Sequence, residues 1–245
     1  MSMSMCQRSK STRKNAMPGS LRDSSLQGLV SALAEKQPTP GGGAAAAIAA
    51  AIGDAAGAMA CAYTQRKKDK ESGAAAKALV LRSALCDAAA RELVAADEDA
   101  EAYAALQTTW TDKTLPAQAK AQIEASALAV PTGVVERCHE KAASLAAFAP
   151  SCNPNIVSDA KVGVHLLAGA ARAAYQTVLV NSPPDAEKAR LRQLLSELDA
   201  LDASLLGSPS VRAPSTLLAR IDVRAKMLAA FGLGGLVGIM LMRSK

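Results

Sequence analysis

Apolar residues recur along this chain at the three- and four-residue spacing of helices, and no segment shows the sustained apolar–polar alternation of a strand. Proline, glycine and polar breaks separate the helical segments, and Pro131 is expected to kink one of them. The pattern predicts an all-α fold. The predicted helices span approximately residues 24–35, 44–63, 73–106, 117–148, 159–180 and 185–205.

The second predicted helix is unusual in composition. It follows the turn PTPGGG at residues 38–43, and 12 of its 19 residues from Ala44 to Ala62 are alanine. Alanine is the strongest helix former, and its small side chain lets neighbouring backbones approach closely. Two interpretations follow: a small-residue core helix behind a tight turn, or a turn whose backbone lies against a ligand. The basic residues at 66, 67, 68 and 70 either complement the negative end of this helix or form a rim for an anionic ligand.

Four carboxylates crowd the end of the third predicted helix, at residues 97, 98, 99 and 101. Such a cluster is usually a solvated helix face. However, Asp99 precedes Tyr103 by four residues, so the two side chains share one face of the helix. An acid beside a buried aromatic ring is partly desolvated, which raises its pKa and suits proton transfer. Residues 107–116 are predicted to form a loop around Trp110, and Ser158 is predicted to be the N-cap of a later helix.

Net charge divides the chain into three parts. The total is +6, but residues 1–22 carry +5 and residues 209–245 carry +5, so residues 23–208 carry −4. We expect a basic N-terminal tail at 1–22, either disordered or a targeting segment, then a helical domain at 23–208 and a separate C-terminal part at 209–245. Only 2% of the residues are aromatic and the body has no basic stripe, which argues against nucleic-acid binding.

The C-terminal part contains an apolar segment at residues 227–242, 16 uncharged residues between basic flanks. As a helix it would be about 24 Å long, somewhat short of a hydrocarbon core of about 30 Å. We predict a C-terminal apolar helix that acts as a membrane tail anchor; the alternative is an apolar helix docked on the body.

Cysteine and histidine usage bears on location and metals. The five cysteines contain no CxxC pair, which indicates reduced thiols in an intracellular protein, cytoplasmic or organellar. Only His139 and His165 are present, too few for a multi-histidine metal site. We expect neither a metal nor a bound cofactor.

Four separated blocks of the chain, in order and at similar separations, resemble the cyclodeaminase/cyclohydrolase family of folate enzymes. The resemblance covers residues 24–206. The blocks are PTPGGGAAAAIAAAIGDAAGAMACAYT (38–64), DEDAEAYAAL (97–106), AVPTGVVE (129–136) and NPNIVSDAKVGVHLLAGAARAAYQTVLVN (153–181).

This resemblance implies a compact up-and-down helical bundle of the cyclodeaminase type that forms a homodimer, with a folate site in a groove that the dimer helps to form. The proton-accepting acid of the family falls on Asp99, with Asp97 as the less favoured register, and Asp159 is assigned as its electrostatic or orienting partner. Thr177 stands where the family often has asparagine, and a hydroxyl cannot reproduce a carboxamide's paired donor and acceptor. The expected substrate-binding residues are Gly41, Gly42, Gly43, Asn153, Asn155, Ser158, Thr177 and Asn181.

The implied activity is hydrolysis of 5,10-methenyltetrahydrofolate to 10-formyltetrahydrofolate by carboxylate-assisted acid/base catalysis, with a tetrahydrofolate derivative as substrate. The cyclohydrolase is favoured because the chain carries no formiminotransferase half. Two alternatives stay open: a formiminotetrahydrofolate cyclodeaminase that releases ammonia, or a catalytically inactive, membrane-tethered helical scaffold.

Overall fold

The structure, a computed structural model, describes residues 20–206, and within this range every regular element is helical. The predicted all-α fold is confirmed. Most of the predicted basic tail, at residues 1–19, and the predicted apolar segment at 227–242 lie outside the described residues. The helices are α1 (Leu26–Ala34), α2 (Gly42–Ala62), α3 (Lys67–Glu71), α4 (Ala74–Thr111), α5 (Ala117–Phe148), α6 (Val157–Val180) and α7 (Asp185–Leu205).

Four long helices form an up-and-down bundle in which α2 packs between α4 and α6, and α5 completes the square. Neighbouring helices run antiparallel: the start of α2 meets the C-terminal third of α4, and the end of α2 meets the segment before α6. The helix α7 packs across α5 and α6 and buries Leu191 and Leu198 completely. Both ends of the bundle are therefore built from segments that are distant in the sequence.

Small residues set the close spacing of α2 and α6. A Cβ atom added at Gly163 would lie 2.9 Å from the carbonyl oxygen of Gly53, so the two backbones approach to a distance that excludes any side chain there. Among the described helices, α2 alone has the length and hydropathy of a membrane span, and most of it is buried in the bundle. The helix is thus a core helix, as its alanine content predicted.

The helix α4 is longer than predicted. The loop proposed for residues 107–116 is wrong over its first half, because the helix continues to Thr111. The Thr108 and Thr109 hydroxyls donate to the carbonyl oxygens of Ala105 and Leu106, which satisfies both side chains inside the helix. Trp110 therefore lies on the last turn of α4 rather than in a loop.

Two helix ends also differ from prediction. The basic residues after α2 do not end that helix but form the separate short helix α3, where Arg66 makes two hydrogen bonds to the Asp69 carboxylate at 2.8 and 2.7 Å. Ser158 is not an N-cap, because it lies inside α6. The helix begins at Val157, and Ile156 occupies the cap position. The helix α5 has its predicted bounds and continues through the buried Pro131.

A buried ionic group lies in the middle of the bundle. The Glu92 carboxylate of α4 accepts two hydrogen bonds from the Arg137 guanidinium of α5, at 2.6 and 3.0 Å. Asp54 of α2 is only 1% exposed, and its Oδ1 has no hydrogen-bond partner. Burial, followed by the nearby Glu92 carboxylate, raises the pKa of Asp54 to about 7.

We predict that Asp54 makes the stability of the fold fall as pH rises. The folded pKa of about 7 exceeds the ordinary value of 3.8, so between these values the folded state keeps a proton that the unfolded chain loses. Relative to the wild type, Asp54→Ala should gain up to about 4 kcal/mol in unfolding free energy between pH 4 and pH 8, at about 1.4 kcal/mol per pH unit. Urea unfolding at both pH values measures this gain. Asp87→Ala, which removes an exposed acid, is the control, and an equal effect in both variants would contradict the assignment.

Candidate active site

A cavity of about 420 Å³ opens at the end of the bundle where α2 begins. It lies between the turn before α2, the last turns of α4 and the end of α6, with a contribution from α5. Six of the residues proposed from the sequence line it: Gly41, Gly42, Gly43, Asp99, Thr177 and Asn181.

The Asp99 carboxylate lies against the first turn of α2. Its Oδ2 accepts a hydrogen bond from the backbone N–H of Ala44 at 2.9 Å. The N-cap residue Gly41 has no side chain, so a carboxylate from α4 supplies the acceptor that an N-cap side chain normally provides. Burial raises the pKa of Asp99, and the hydrogen bond from Ala44 opposes that rise in part.

The cause of this raised pKa differs from the predicted one. Tyr103 shares the face of Asp99, as the spacing predicted, but the residue is 38% exposed and is not buried. The packing of Asp99 against the start of α2 removes water from the carboxylate instead. The acid is thus partly desolvated and yet borders an open cavity.

The three glycines play different parts in this contact. A Cβ atom added at Gly43 would lie 2.0 Å from Oδ1 of Asp99, so only glycine leaves room for the carboxylate. A Cβ at Gly41 or Gly42 would meet no atom within 4 Å. These two glycines instead expose backbone to the cavity.

Asn181 fixes the end of α6 at the cavity wall. Its Nδ2 donates to the carbonyl oxygens of Ala127, at 2.9 Å, and Thr177, at 3.2 Å. The amide nitrogen is therefore engaged by α5 and α6, and the carbonyl oxygen Oδ1 remains to accept from a ligand. Thr177 lies one turn earlier on the same wall.

The alternative acid, Asp97, is engaged elsewhere. Its carboxylate accepts hydrogen bonds from the Ser20 hydroxyl and the backbone N–H of Leu21, and Arg22 lies 3.6 Å away. These contacts hold the first described turn of the chain against α4, beside a second cavity that Asp99 does not line. Asp99, rather than Asp97, is the acid of the glycine-lined cavity.

The remaining four proposed residues, Asn153, Asn155, Ser158 and Asp159, lie at the opposite end of the bundle. Asn153 donates to the carbonyl oxygen of Tyr63, just after the end of α2, at 2.9 Å. Asp159 and Thr177 stand near opposite ends of α6, about 27 Å apart at a rise of about 1.5 Å per residue. A single chain does not bring these four residues to the cavity.

The structure also adds cavity residues that the sequence reasoning did not assign to the site: Leu106, Trp110 and Gln176. The first two continue the face of Asp99 and Tyr103, since positions 99, 103, 106 and 110 follow helical spacing. That signal was present in the sequence but was hidden by the predicted loop at 107–116.

Neither histidine of the chain lies at the cavity. His139 pairs with Glu197 of α7 at 2.7 Å, and His165 pairs with Asp202 of the same helix. Within residues 20–206 no group of three or more His, Cys, Asp or Glu side chains is arranged to hold a metal ion. Both histidines instead attach α7 to the bundle.

Comparison with known proteins identifies the family. The family model for formiminotransferase-cyclodeaminase matches residues 25–200. The chain belongs to the formiminotransferase-cyclodeaminase family. It is 30% identical over 203 residues to a methenyltetrahydrofolate cyclohydrolase from Methylorubrum extorquens, an alignment that covers 80% of this chain and 97% of that protein.

The fold agrees with that of a solved cyclodeaminase. The formiminotetrahydrofolate cyclodeaminase from Thermotoga maritima superposes with a TM-score of 0.65, over 75% of this chain and 92% of that one. At 23% sequence identity this likeness concerns the fold alone. It confirms the predicted bundle of the cyclodeaminase type.

We predict that Gly43→Ala displaces the Asp99 carboxylate from Ala44, because the new Cβ would occupy its position. Loss of a hydrogen bond worth about 1 kcal/mol should speed amide hydrogen exchange at Ala44 about fivefold. Gly42→Ala is the matched control, since its Cβ meets no atom within 4 Å. Equal exchange rates at Ala44 in the two variants would show that Gly43 is not needed for this contact.

Proposed function

We propose that this chain is an enzyme of folate one-carbon metabolism that hydrolyses 5,10-methenyltetrahydrofolate to 10-formyltetrahydrofolate. The observation that carries the proposal is the Asp99 carboxylate, which is partly desolvated, accepts a hydrogen bond from a helix N-terminus and borders a cavity. The similarity to a methenyltetrahydrofolate cyclohydrolase over nearly its whole length supports the same reaction.

The first chemical step is the addition of water to the cationic methenyl carbon between N5 and N10. As the new C–O bond forms, the Asp99 carboxylate accepts a proton from the water. A carboxylate with a raised pKa suits this role because its proton affinity is closer to the working pH. The negative charge of Asp99 also stabilises the cationic ligand in a cavity that is partly shielded from water.

The second step opens the tetrahedral adduct. The bond between carbon and N5 breaks, the adduct's hydroxyl group becomes the formyl carbonyl on N10, and N5 receives a proton. One proton is released to solvent for each molecule of water consumed. Asp99, having taken a proton in the first step, is placed to return one to N5.

The other cavity residues supply contacts for the pterin ring. Its amide and amino groups need both donors and acceptors, and the Asn181 Oδ1 together with the Thr177 hydroxyl offers them on one wall. The backbone of Gly41 and Gly42 can approach the ring closely because neither residue carries a side chain. The Thr177 hydroxyl can form fewer hydrogen bonds than a carboxamide at this position would.

We predict that Asp99→Asn lowers the rate of methenyltetrahydrofolate hydrolysis by about 100-fold or more, the usual contribution of a general base. Loss of the methenyl-folate absorbance by the full-length protein measures the rate. Asp97→Asn is the matched control: it removes the acid two residues away, which lines the other cavity, and should retain most of the activity.

The same assay tests the competing functions. Release of ammonia from 5-formiminotetrahydrofolate without methenyl hydrolysis would replace the proposal with a cyclodeaminase, in which Asp99 takes the proton from N10. If the wild-type protein neither accelerates hydrolysis nor releases ammonia, the enzyme assignment fails and the inactive scaffold stands.

We further propose that the chain acts as a homodimer. Two neighbouring helices, α2 and α6, each leave a largely apolar stripe uncovered, in which Gln176 of α6 is polar, and Asp54, the only charged residue of α2, is buried. Such a surface with few charges is typical of a subunit interface. We call it the α2/α6 face. Its members are Ala45, Ile48, Ala49, Ile52, Ala55, Ala56 and Met59 of α2 and Val162, Leu166, Gly169, Ala173 and Val180 of α6.

A two-fold axis on this face would complete the site. Ile52 is the middle residue of α2, and Gly169 lies at the middle of α6. A two-fold interface pairs the same patch on both subunits. A two-fold axis that passes near Ile52 and Gly169, perpendicular to the helices, therefore places the start of one α6 beside the end of the other. Ser158 and Asp159 of the partner subunit would then approach the cavity that holds Asp99. The dimer thus accounts for proposed site residues that lie at opposite ends of one chain.

We predict that two inactive variants complement each other. In a mixed dimer of Asp99→Asn and Asp159→Asn chains, one site carries both substitutions and the other carries neither. Random mixing of equal amounts should therefore restore about a quarter of the wild-type activity. A mixture no more active than the separate variants would contradict the shared site, and full activity of Asp159→Asn alone would remove Asp159 from it.

A further inference from the structure

The cavity at Asp99 has two chemically different walls. The end of α6 supplies a polar wall with Thr177 and Asn181. The other wall is formed by α4, on which Asp99 is followed by Tyr103, Leu106 and Trp110. Trp110 is 54% exposed, although its side chain is large and apolar. An exposed ring beside an apolar cavity is a surface that a ligand can cover.

The two rings form one aromatic wall. Tyr103 and Trp110 are two turns apart on the same face of α4, and their ring centroids are 6.2 Å apart at an interplanar angle of 83°. This edge-to-face packing holds each ring in place before any ligand binds. The chain has one Trp, three Tyr and two Phe, so two of its few aromatic rings line this cavity.

The acid and the two aromatic rings follow one another along α4. Asp99 comes first along the helix, Tyr103 follows after one turn, and Trp110 lies about 16 Å from Asp99 at about 1.5 Å per residue. The exposed Lys113 follows the end of the helix. Along the chain the order is therefore an acid and two aromatic rings that line the cavity, and then a basic residue that lies outside the lining.

We propose that Trp110 and Tyr103 bind the p-aminobenzoyl ring of the folate, with the one-carbon unit at Asp99 and the glutamyl carboxylates directed outward past Trp110. This inference rests on the proposed function. In the substrate, N10 joins the one-carbon unit directly to the aminobenzoyl ring, so a base at the carbon has that ring close by. The pterin, rich in donors and acceptors, matches the polar wall, and the flat aryl ring matches the aromatic one.

Trp110 is accordingly a substrate-binding residue that favours folates over pterins without the aryl ring. It does not touch the reacting carbon, so its loss should weaken binding of ground state and transition state alike. For Trp110→Ala we expect KM to rise about tenfold and kcat to stay within about twofold. Trp110→Phe should recover most of the affinity, whereas Trp110→Leu, which is apolar but not aromatic, should not. Leu26→Ala, which removes an exposed side chain that lines none of the described cavities, is the control.

Fluorescence of the single tryptophan gives a direct readout without turnover. p-Aminobenzoylglutamate, which carries the ring and the carboxylates, should quench Trp110 saturably, and a tetrahydropterin without the aryl group should not. Quenching by the pterin alone, or equal KM values for Trp110→Phe and Trp110→Leu, would overturn the inference. Turnover without quenching would overturn this inference alone, and quenching without turnover would overturn the hydrolytic function alone.

Discussion

The Asp99 carboxylate rests on the first turn of α2, and the arrangement of the site depends on that contact. The free backbone N–H groups of a helix N-terminus favour a negative charge, which holds the acid in a fixed position. Burial opposes the charge and raises the pKa of the acid. The balance leaves a carboxylate that can ionise and yet retains a high affinity for protons.

This contact requires the close packing of the bundle. Gly43 admits the carboxylate because it has no Cβ, and the alanines behind it let α4 and α6 approach α2. The glycine turn and the alanine helix therefore act together: the first makes room for the acid, and the second brings the helices that carry Asp99 and Asn181 to one end. The core interpretation and the ligand interpretation of this stretch are compatible.

Much of this could be predicted from the sequence. Helical periodicity gave the bounds of α5 and α7, and the family motifs selected six residues that line one cavity. The end of α4 was missed because threonines have low helix propensity, and only the structure shows their hydroxyls bonding within the helix. For the same reason the sequence did not assign Trp110 to the cavity. The distance between Asp99 and Asp159 could not be predicted, because a motif does not state whether its residues meet within one chain or across two.

The central claim is that Asp99 is the catalytic base, and the pH dependence of kcat/KM for methenyltetrahydrofolate hydrolysis tests it most directly. The free enzyme should gain activity as Asp99 loses its proton, with an inflection above the ordinary aspartate pKa of 3.8. The residual activity of Asp99→Asn should lack that inflection. An inflection that persists unchanged in Asp99→Asn would contradict the account.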